Sequence, residues 1–126
     1  MVEMVYPELA SPKRVLLLGS MTDAFYAASD EERNSQVLPR FKELVDEWAA
    51  LGARVLASFD DDLFMVGDPR STQVTFYVIC EVEPLEAVVA MIQRLRETVN
   101  GVRMDKYLRF EARVGRALFL LEESRA

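Results

Sequence analysis

The sequence contains no histidine and only one cysteine. Histidine is the most frequent general base and a common metal ligand, so its absence excludes a Ser-His-Asp site, a Cys-His site and a histidine-ligated haem. The one cysteine, Cys80, cannot form an internal disulfide and has no histidine to activate it as a nucleophile. We therefore expect a protein without a metal or other cofactor, in a reducing compartment such as the cytoplasm.

Long apolar runs, basic clusters and phosphate-binding glycine motifs are also absent. The longest apolar runs, such as Val15–Leu18 and Ala87–Ile92, are far shorter than a membrane span. The net charge is −6 and no basic cluster exceeds the pair Lys13–Arg14, so nucleic acid is not an expected partner. The first residues lack the basic start and apolar stretch of a secretory signal, and the glycines are scattered. These absences predict neither membrane nor nucleic-acid binding.

The sequence does contain the alternating strand and helix patterns of a single domain. It has 126 residues, of which 51% are hydrophobic, and this suits a single domain covering 1–126. The predicted elements are a strand at 14–21, a helix at 29–51, strands at 53–59 and 72–82, a helix at 83–97 and a strand at 106–119. This β-α-β-β-α-β order predicts an α+β ferredoxin-like fold, with a four-stranded antiparallel sheet and two helices on one face. We expect residues 1–12 to form an extended arm and residues 122–126 a polar tail.

Several single residues predict where these elements begin, end or bend. Ser29 stands three residues before Glu32, which is the spacing of a helix capping box, and Gly52 stands where a left-handed helix end is expected. Pro39 conflicts with an uninterrupted first helix because it lacks a backbone donor. Either the helix kinks there, or a long helix begins near Pro39 after a separate short turn. Gly115 indicates a bulge in the last strand.

Alternation along the strands predicts which side chains face the helices. The opposite, uncovered face then carries Tyr77 and Glu81 on the third strand and Tyr107, Arg109, Glu111 and Arg113 on the fourth. The first strand is apolar on both faces, a pattern typical of strands covered on both sides. The chain has no third helix for this purpose. We therefore expect a second copy to cover the open face, giving a homodimer that buries on the order of 800 Å² per partner.

The charged residues of that face are open to three interpretations. In the first they are only interface ion pairs of an assembly module. In the second, a polar pocket of Tyr77, Tyr107, Arg109 and Arg113 binds a small aromatic ligand. In the third, the protein is a cofactor-free enzyme with a carboxylate base. The candidate bases are Glu81 and Glu111, although a neighbouring arginine would oppose the raised pKa that such a base needs.

Two further groups of residues have both a functional and a structural interpretation. The run Asp60–Asp62 offers three carboxylates to a hard cation, but its spacing does not match a calcium loop, so no metal site is predicted and a solvated turn is expected. Phe25 and Tyr26 lie in a connection, where they either contact a ligand or pack over the first helix, the second being favoured. Trp48 and Met91 lie on apolar helix stripes and are expected in the core.

Three segments of the chain resemble a small family of accessory proteins from bacterial indole-3-acetate degradation clusters. They are FDDDLFMVG, TFYVICEVEPLEAVVAMIQRLRET and KYLRFEARVGRALF, within residues 53–119, and the most specific part is Glu111–Arg116. Members of this family have the dimeric ferredoxin-like (α/β-barrel) fold. The resemblance implies a homodimer, a catabolic setting and an aromatic substrate or intermediate. It carries over no catalytic residue.

Overall fold

The computed structural model describes residues 13–67, 74–116 and 120; the expected arm at 1–12 and tail at 122–126 lie outside these residues. The first half contains β1 (Lys13–Met21), α1 (Asp23–Ala27), α2 (Asp30–Glu32), a π-helical turn (Arg33–Val37), α3 (Leu38–Ala50) and β2 (Arg54–Asp60). The second half contains β3 (Phe76–Val82), α4 (Leu85–Gln93), a 3₁₀ turn (Arg94–Arg96), β4 (Thr98–Val99), β5 (Val102–Arg103), a 3₁₀ turn (Met104–Lys106) and β6 (Leu108–Gly115). None of the helices in these described residues has the length and apolar character needed to span a membrane.

The main sheet has four strands in the order β2-β3-β1-β6, and each neighbouring pair is antiparallel. Strand β1 is central, and β2 and β6 are the two edge strands. This confirms an α+β protein with a four-stranded antiparallel sheet, and the arrangement is compatible with the ferredoxin-like fold. The register of β1 with β6 is continuous from Arg14↔Gly115 to Met21↔Leu108. The prediction of a bulge at Gly115 is therefore wrong. The irregularity in strand pairing lies instead in β2, between Val55 and Ala57.

The core lies between one face of the sheet and the helices α3 and α4. It includes Val15 and Leu17 from β1, Cys80 and Val82 from β3, Leu44 and Trp48 from α3, and Val88 and Met91 from α4. The indole Nε1 of Trp48 donates to the backbone oxygen of Met91 at 2.9 Å, which joins the two helices. The core positions predicted for Trp48 and Met91 are confirmed.

The long helical segment accommodates Pro39 by widening one turn before it. The hydroxyl of Ser29 accepts a hydrogen bond from the backbone N–H of Glu32, which confirms the predicted start. The N–H of Leu38 then donates to the oxygen of Arg33, five residues back, so the turn is π-helical. Pro39 consequently falls in the first turn of α3, where its missing N–H is not needed. The second of the two alternatives for Pro39 is therefore the better description.

A second, two-stranded sheet links α4 to β6 and was not predicted from the sequence. In it β4 and β5 pair through Thr98↔Arg103 and Val99↔Val102. The connecting residues Asn100 and Gly101 both have positive φ, as a tight two-residue hairpin turn requires. This hairpin explains why regular helix ends before residue 97 and why β6 begins later than expected.

Candidate functional site

A cavity of about 360 Å³ opens where α1 and α3 meet one end of the main sheet. Its apolar wall consists of Met21, Phe25, Val37, Leu38, Phe41, Phe59, Phe76, Val78 and Leu108, and its polar members are Ser58, Asp60 and Tyr77. Five of these residues are aromatic. A concave, mainly apolar space with a few polar groups is the usual form of a small-molecule site.

The cavity exists because α3 does not cover the edge strand β2. All seven residues of β2 are exposed, whereas the neighbouring strands are half-buried or buried. Ser58 pairs with Val78, which packs against the core, so the Ser58 side chain lies on the helix side of the sheet. The space beside Ser58 is thus left open between the strand and the helices.

The aromatic wall is held in place by contacts between its own rings and the core. Phe76 meets Phe110 edge to face at 5.3 Å between ring centroids, and Phe110 meets Trp48 in the same way at 5.4 Å. The Phe76 ring lies directly over Gly19, where even one added carbon would overlap it. Because these rings are packed on several sides, the cavity is largely formed before any ligand arrives.

Tyr77 is among the residues at the cavity, but it alternates with Phe76 and Val78, so its side chain lies on the open face of the sheet, as predicted. There it has two well-defined partners. Its ring stacks on Phe59 with centroids 4.7 Å apart, and its hydroxyl donates to Oδ2 of Asp61 at 2.9 Å. That hydrogen bond, together with partial burial and the negative charge of Asp61, raises the pKa of Tyr77 above its usual value. The phenol therefore stays protonated at neutral pH.

Asp60 gives the cavity its electrostatic character. It is the one charged side chain among the described residues that line the cavity, and Ser58 is the nearest uncharged polar neighbour along the chain. A carboxylate at the wall attracts a hydrogen-bond donor or a cation and disfavours an anion. The cavity is therefore better suited to a neutral or amine-bearing aromatic molecule than to an aromatic acid.

The connection after β1 contributes Phe25 to the wall through a short helix rather than a loop. The guanidinium of Arg33 lies 5.3 Å from the centroid of the Phe25 ring and donates to the backbone oxygens of Phe25 and Tyr26. Phe25 packs against the core, whereas Tyr26 is 59% exposed. The expectation that both rings pack over the first helix is therefore correct for Phe25 and wrong for Tyr26.

The predicted residues of β6 lie away from the cavity. Phe110 and Ala112 pack against the core, so Arg109, Glu111 and Arg113 project from the opposite, open face of the sheet. All three are exposed, and Nη2 of Arg113 lies 3.5 Å from Oε2 of Glu111. The alternation rule placed these residues on the correct face, but no described cavity brings them together.

The other two residues predicted on the open face, Glu81 and Tyr107, lie in different parts of the fold. Glu81 lies on the open face of β3, where its Oε2 is 2.7 Å from Nη2 of Arg54. Tyr107 is only 3% exposed and belongs to the core, so its predicted place on the open face is wrong. The reason is that the 3₁₀ turn ends at Tyr107 and the strand begins at Leu108, so strand alternation does not extend to it.

The residues that the sequence offered for metal binding or nucleophilic chemistry have other contacts in the structure. Among the described residues, no group of three histidine, cysteine, aspartate or glutamate side chains could hold a metal ion. Asp61 accepts the Tyr77 hydroxyl instead. Cys80 is buried in the core, and its burial raises the pKa of the thiol, which opposes reactivity.

Among comparisons with known proteins, one bears on the fold and none gives an activity. No protein-family model matches the chain, and no curated protein matches it. A solved structure of a protein of unknown function from Rhodopseudomonas palustris is similar, with a TM-score of 0.51 and 18% sequence identity. The match covers 83% of this chain and 82% of that one. At this identity the likeness shows a shared fold alone.

Proposed function

We propose that this protein binds a small aromatic or hydrophobic organic molecule in the cavity between α1, α3 and the end of the sheet. The observation that carries this proposal is the wall itself, in which the rings of Phe25, Phe41 and Phe76 lie among aliphatic side chains around a space of about 360 Å³. Phe76 packs against Phe110, and Phe110 packs against Trp48. The wall is therefore already ordered, and binding a ligand loses little side-chain entropy. The catabolic setting implied by the family resemblance stays a prediction.

The ligand class follows from the polar groups at the wall. Asp60 and Ser58 can accept a hydrogen bond from an indole N–H, a phenol or an amine. Arg109 and Arg113, which the sequence analysis placed in a polar ligand pocket, lie on the other face of the sheet, where they could not pair with the carboxylate of a ligand in this cavity. We therefore expect a neutral aromatic donor to bind more tightly than the matching aromatic acid.

The test is calorimetric titration with indole and with indole-3-acetic acid at neutral pH. We expect indole to bind at least 10-fold more tightly than indole-3-acetic acid. Asp60→Asn should reduce this difference in affinity, because it removes the charge that repels the carboxylate of the acid. Ser58→Leu should fill the cavity and weaken indole binding by 10-fold or more. Ala49→Leu is the matched control, because Ala49 is exposed on α3 and does not line the cavity.

Two outcomes would count against the proposal. Absence of heat or thermal shift with millimolar indole, phenol and simple aryl amines would remove the ligand-binding function. Equal loss of binding in Ser58→Leu and Ala49→Leu would show that the effect comes from general destabilisation and not from the cavity.

The cofactor-free enzyme has less support than simple binding. Glu81 is ion-paired with Arg54, and Glu111 lies beside Arg113 on the open face. Neither glutamate lines the aromatic cavity. A base that acted on a molecule in this cavity would have to be Asp60, which is the one carboxylate among the described lining residues.

The open face supports a further part of the proposal, a homodimer formed through it. Leu16 and Leu18 of β1 and Ile79 of β3 form an apolar centre that the described helices leave uncovered. Charged residues lie around this centre, as is common at the rim of an interface. Sedimentation velocity at micromolar concentration should give a dimer of 14.4 kDa chains, and a monomer alone would contradict this part.

A further inference from the structure

A second, smaller cavity lies on another side of α3. It has a volume of about 100 Å³ and lies between the π-helical turn, the first turns of α3 and the hairpin of β4 and β5. Its lining includes Ser35, Gln36, Arg40, Glu43, Asn100 and Val102. No described residue lines both this cavity and the aromatic one, so the two are separate spaces.

Arg40 contributes a buried guanidinium to this cavity. Its side chain is only 3% exposed, and its Nη1 lies 2.6 Å from Oε2 of Glu47 and 3.6 Å from Oε2 of Glu43. Its other two nitrogens, Nε and Nη2, are also buried, and neither has a hydrogen-bond partner among the described residues. Buried donors of a charged group are rarely left unpaired, because their desolvation is unfavourable. These two N–H groups therefore indicate a ligand.

The two unpartnered nitrogens form one edge of the planar guanidinium. Their N–H groups run parallel along that edge, at a spacing that matches the two oxygens of a carboxylate. Arg103 shows this geometry in the same protein, since its Nε and Nη2 donate to Oδ1 and Oδ2 of Asp105 at 2.6 and 2.9 Å. In Arg40 the corresponding edge is left for the cavity, because Nη1 is directed to Glu47, which does not line it. This edge fits a group with two acceptor oxygens.

The other lining residues restrict the charge and the size of that group. Arg40 and Glu43 are the two charged members of the described lining, and Glu43 repels a dianion more strongly than a monoanion. A volume of about 100 Å³ equals about three water molecules, which suits formate or acetate. The carboxamides of Gln36 and Asn100 can donate further hydrogen bonds to an oxygen.

We propose that this cavity binds a small monocarboxylate through the Nε and Nη2 edge of Arg40. Ser35, Gln36 and Asn100 are exposed, so the ligand enters from solvent without unfolding of the chain. The edge is held in position before binding, because Glu47 accepts from Nη1 of Arg40. The site is distinct from the aromatic cavity and does not depend on the function proposed for that cavity.

The test is an NMR titration of the isotope-labelled full chain with sodium acetate, with sodium chloride used to keep the ionic strength constant. The Nε–H resonance of Arg40 is assigned by its loss in Arg40→Lys. We expect this resonance to shift saturably at millimolar acetate and to respond more weakly to phosphate. No response to tens of millimolar acetate, or an equal response to chloride alone, would overturn the proposal.

Charge changes at Gln36 give a second measurement, which does not depend on the folding of an Arg40 variant. Gln36 is exposed and lines the cavity. In calorimetric titrations Gln36→Glu should weaken acetate binding by about 5-fold, and Gln36→Lys should strengthen it by about the same factor. Gln93→Glu is the matched control, because Gln93 is exposed and lies outside this cavity, and it should leave the affinity unchanged.

Glu43→Gln tests the selectivity for a single charge. It should strengthen phosphate binding more than acetate binding, because it removes the carboxylate that repels a dianion. Equal acetate affinities in wild type, Gln36→Glu and Gln36→Lys would show that acetate binds elsewhere and would overturn the proposal. A crystal structure grown in acetate with only ordered water beside Nε and Nη2 of Arg40 would overturn it as well.

Discussion

Gly19→Ala should destabilise the protein and disturb the aromatic cavity, although it adds only one methyl group. Gly19 pairs with Phe76 on β3 and with Phe110 on β6, at the centre of the sheet. An added Cβ would meet the Phe76 ring well inside contact distance. The ring cannot move freely because Phe110 stands against it, edge to face.

The expected size follows from three contributions. Overpacking of a well-packed site costs about 1–3 kcal/mol, and loss of the aromatic pair costs about 0.5–1.5 kcal/mol. Alanine offsets about 0.4–1 kcal/mol by restricting the unfolded chain. The net loss in unfolding free energy is therefore about 0.5–4 kcal/mol. For a chain of this length that lowers Tm by about 2–16 °C.

Equilibrium urea unfolding and thermal melting of Gly19→Ala measure this effect directly. Gly115→Ala is the matched control, because a Cβ there meets nothing and its φ is not in the left-handed region. The control should be neutral or slightly stabilised. Adding Phe76→Leu to Gly19→Ala should recover part of the loss, since a smaller side chain relieves the overlap. If the two glycine variants unfold at the same urea concentration, the packing argument is refuted.

Two other substitutions test contacts that hold the fold and the site. Trp48→Phe removes the hydrogen bond to the Met91 oxygen and should lower the unfolding free energy by about 1–2 kcal/mol in urea titration; an unchanged midpoint would contradict the role of that bond. Tyr77→Phe tests the hydrogen bond to Asp61. Because the pKa of Tyr77 is raised in the folded protein, its contribution to stability is present below about pH 10 and is lost as pH rises through the folded pKa. Wild type should therefore lose stability relative to Tyr77→Phe above about pH 10 in urea titrations, and a constant difference up to pH 11.5 would exclude this coupling.

Much of the fold is predictable because the spacing of apolar residues along each segment distinguishes helices from strands and decides which side chains of a strand face the helices. The alternation that set Phe110 and Ala112 toward the helices also set Arg109 and Arg113 away from them, as the structure has it. The prediction of side-chain position was wrong where strand alternation no longer applied. Tyr107 ends a 3₁₀ turn, so it enters the core although the strand pattern extended through it.

The cavity was not predictable in the same way. Phe41 and Phe76 read as ordinary core residues, and the space beside them depends on how far α3 lies from β2. That distance is a tertiary property with no signature in the spacing of residues. The one available signal was Phe25, an aromatic residue placed in a connection beside the end of a strand, which the structure makes part of the wall.

The wide turn at Arg33–Val37 fixes the rotational phase between α1, which carries Phe25, and α3, which carries Phe41. In an α-helix each residue turns the chain by about 100°. Removal of one residue from this turn would therefore swing the upstream segment around the axis of α3 and carry Phe25 off the wall. Single-residue insertions and deletions should therefore have different effects before and after Pro39. Those before Pro39 would displace Phe25 from the cavity wall while leaving α3 and the sheet in place.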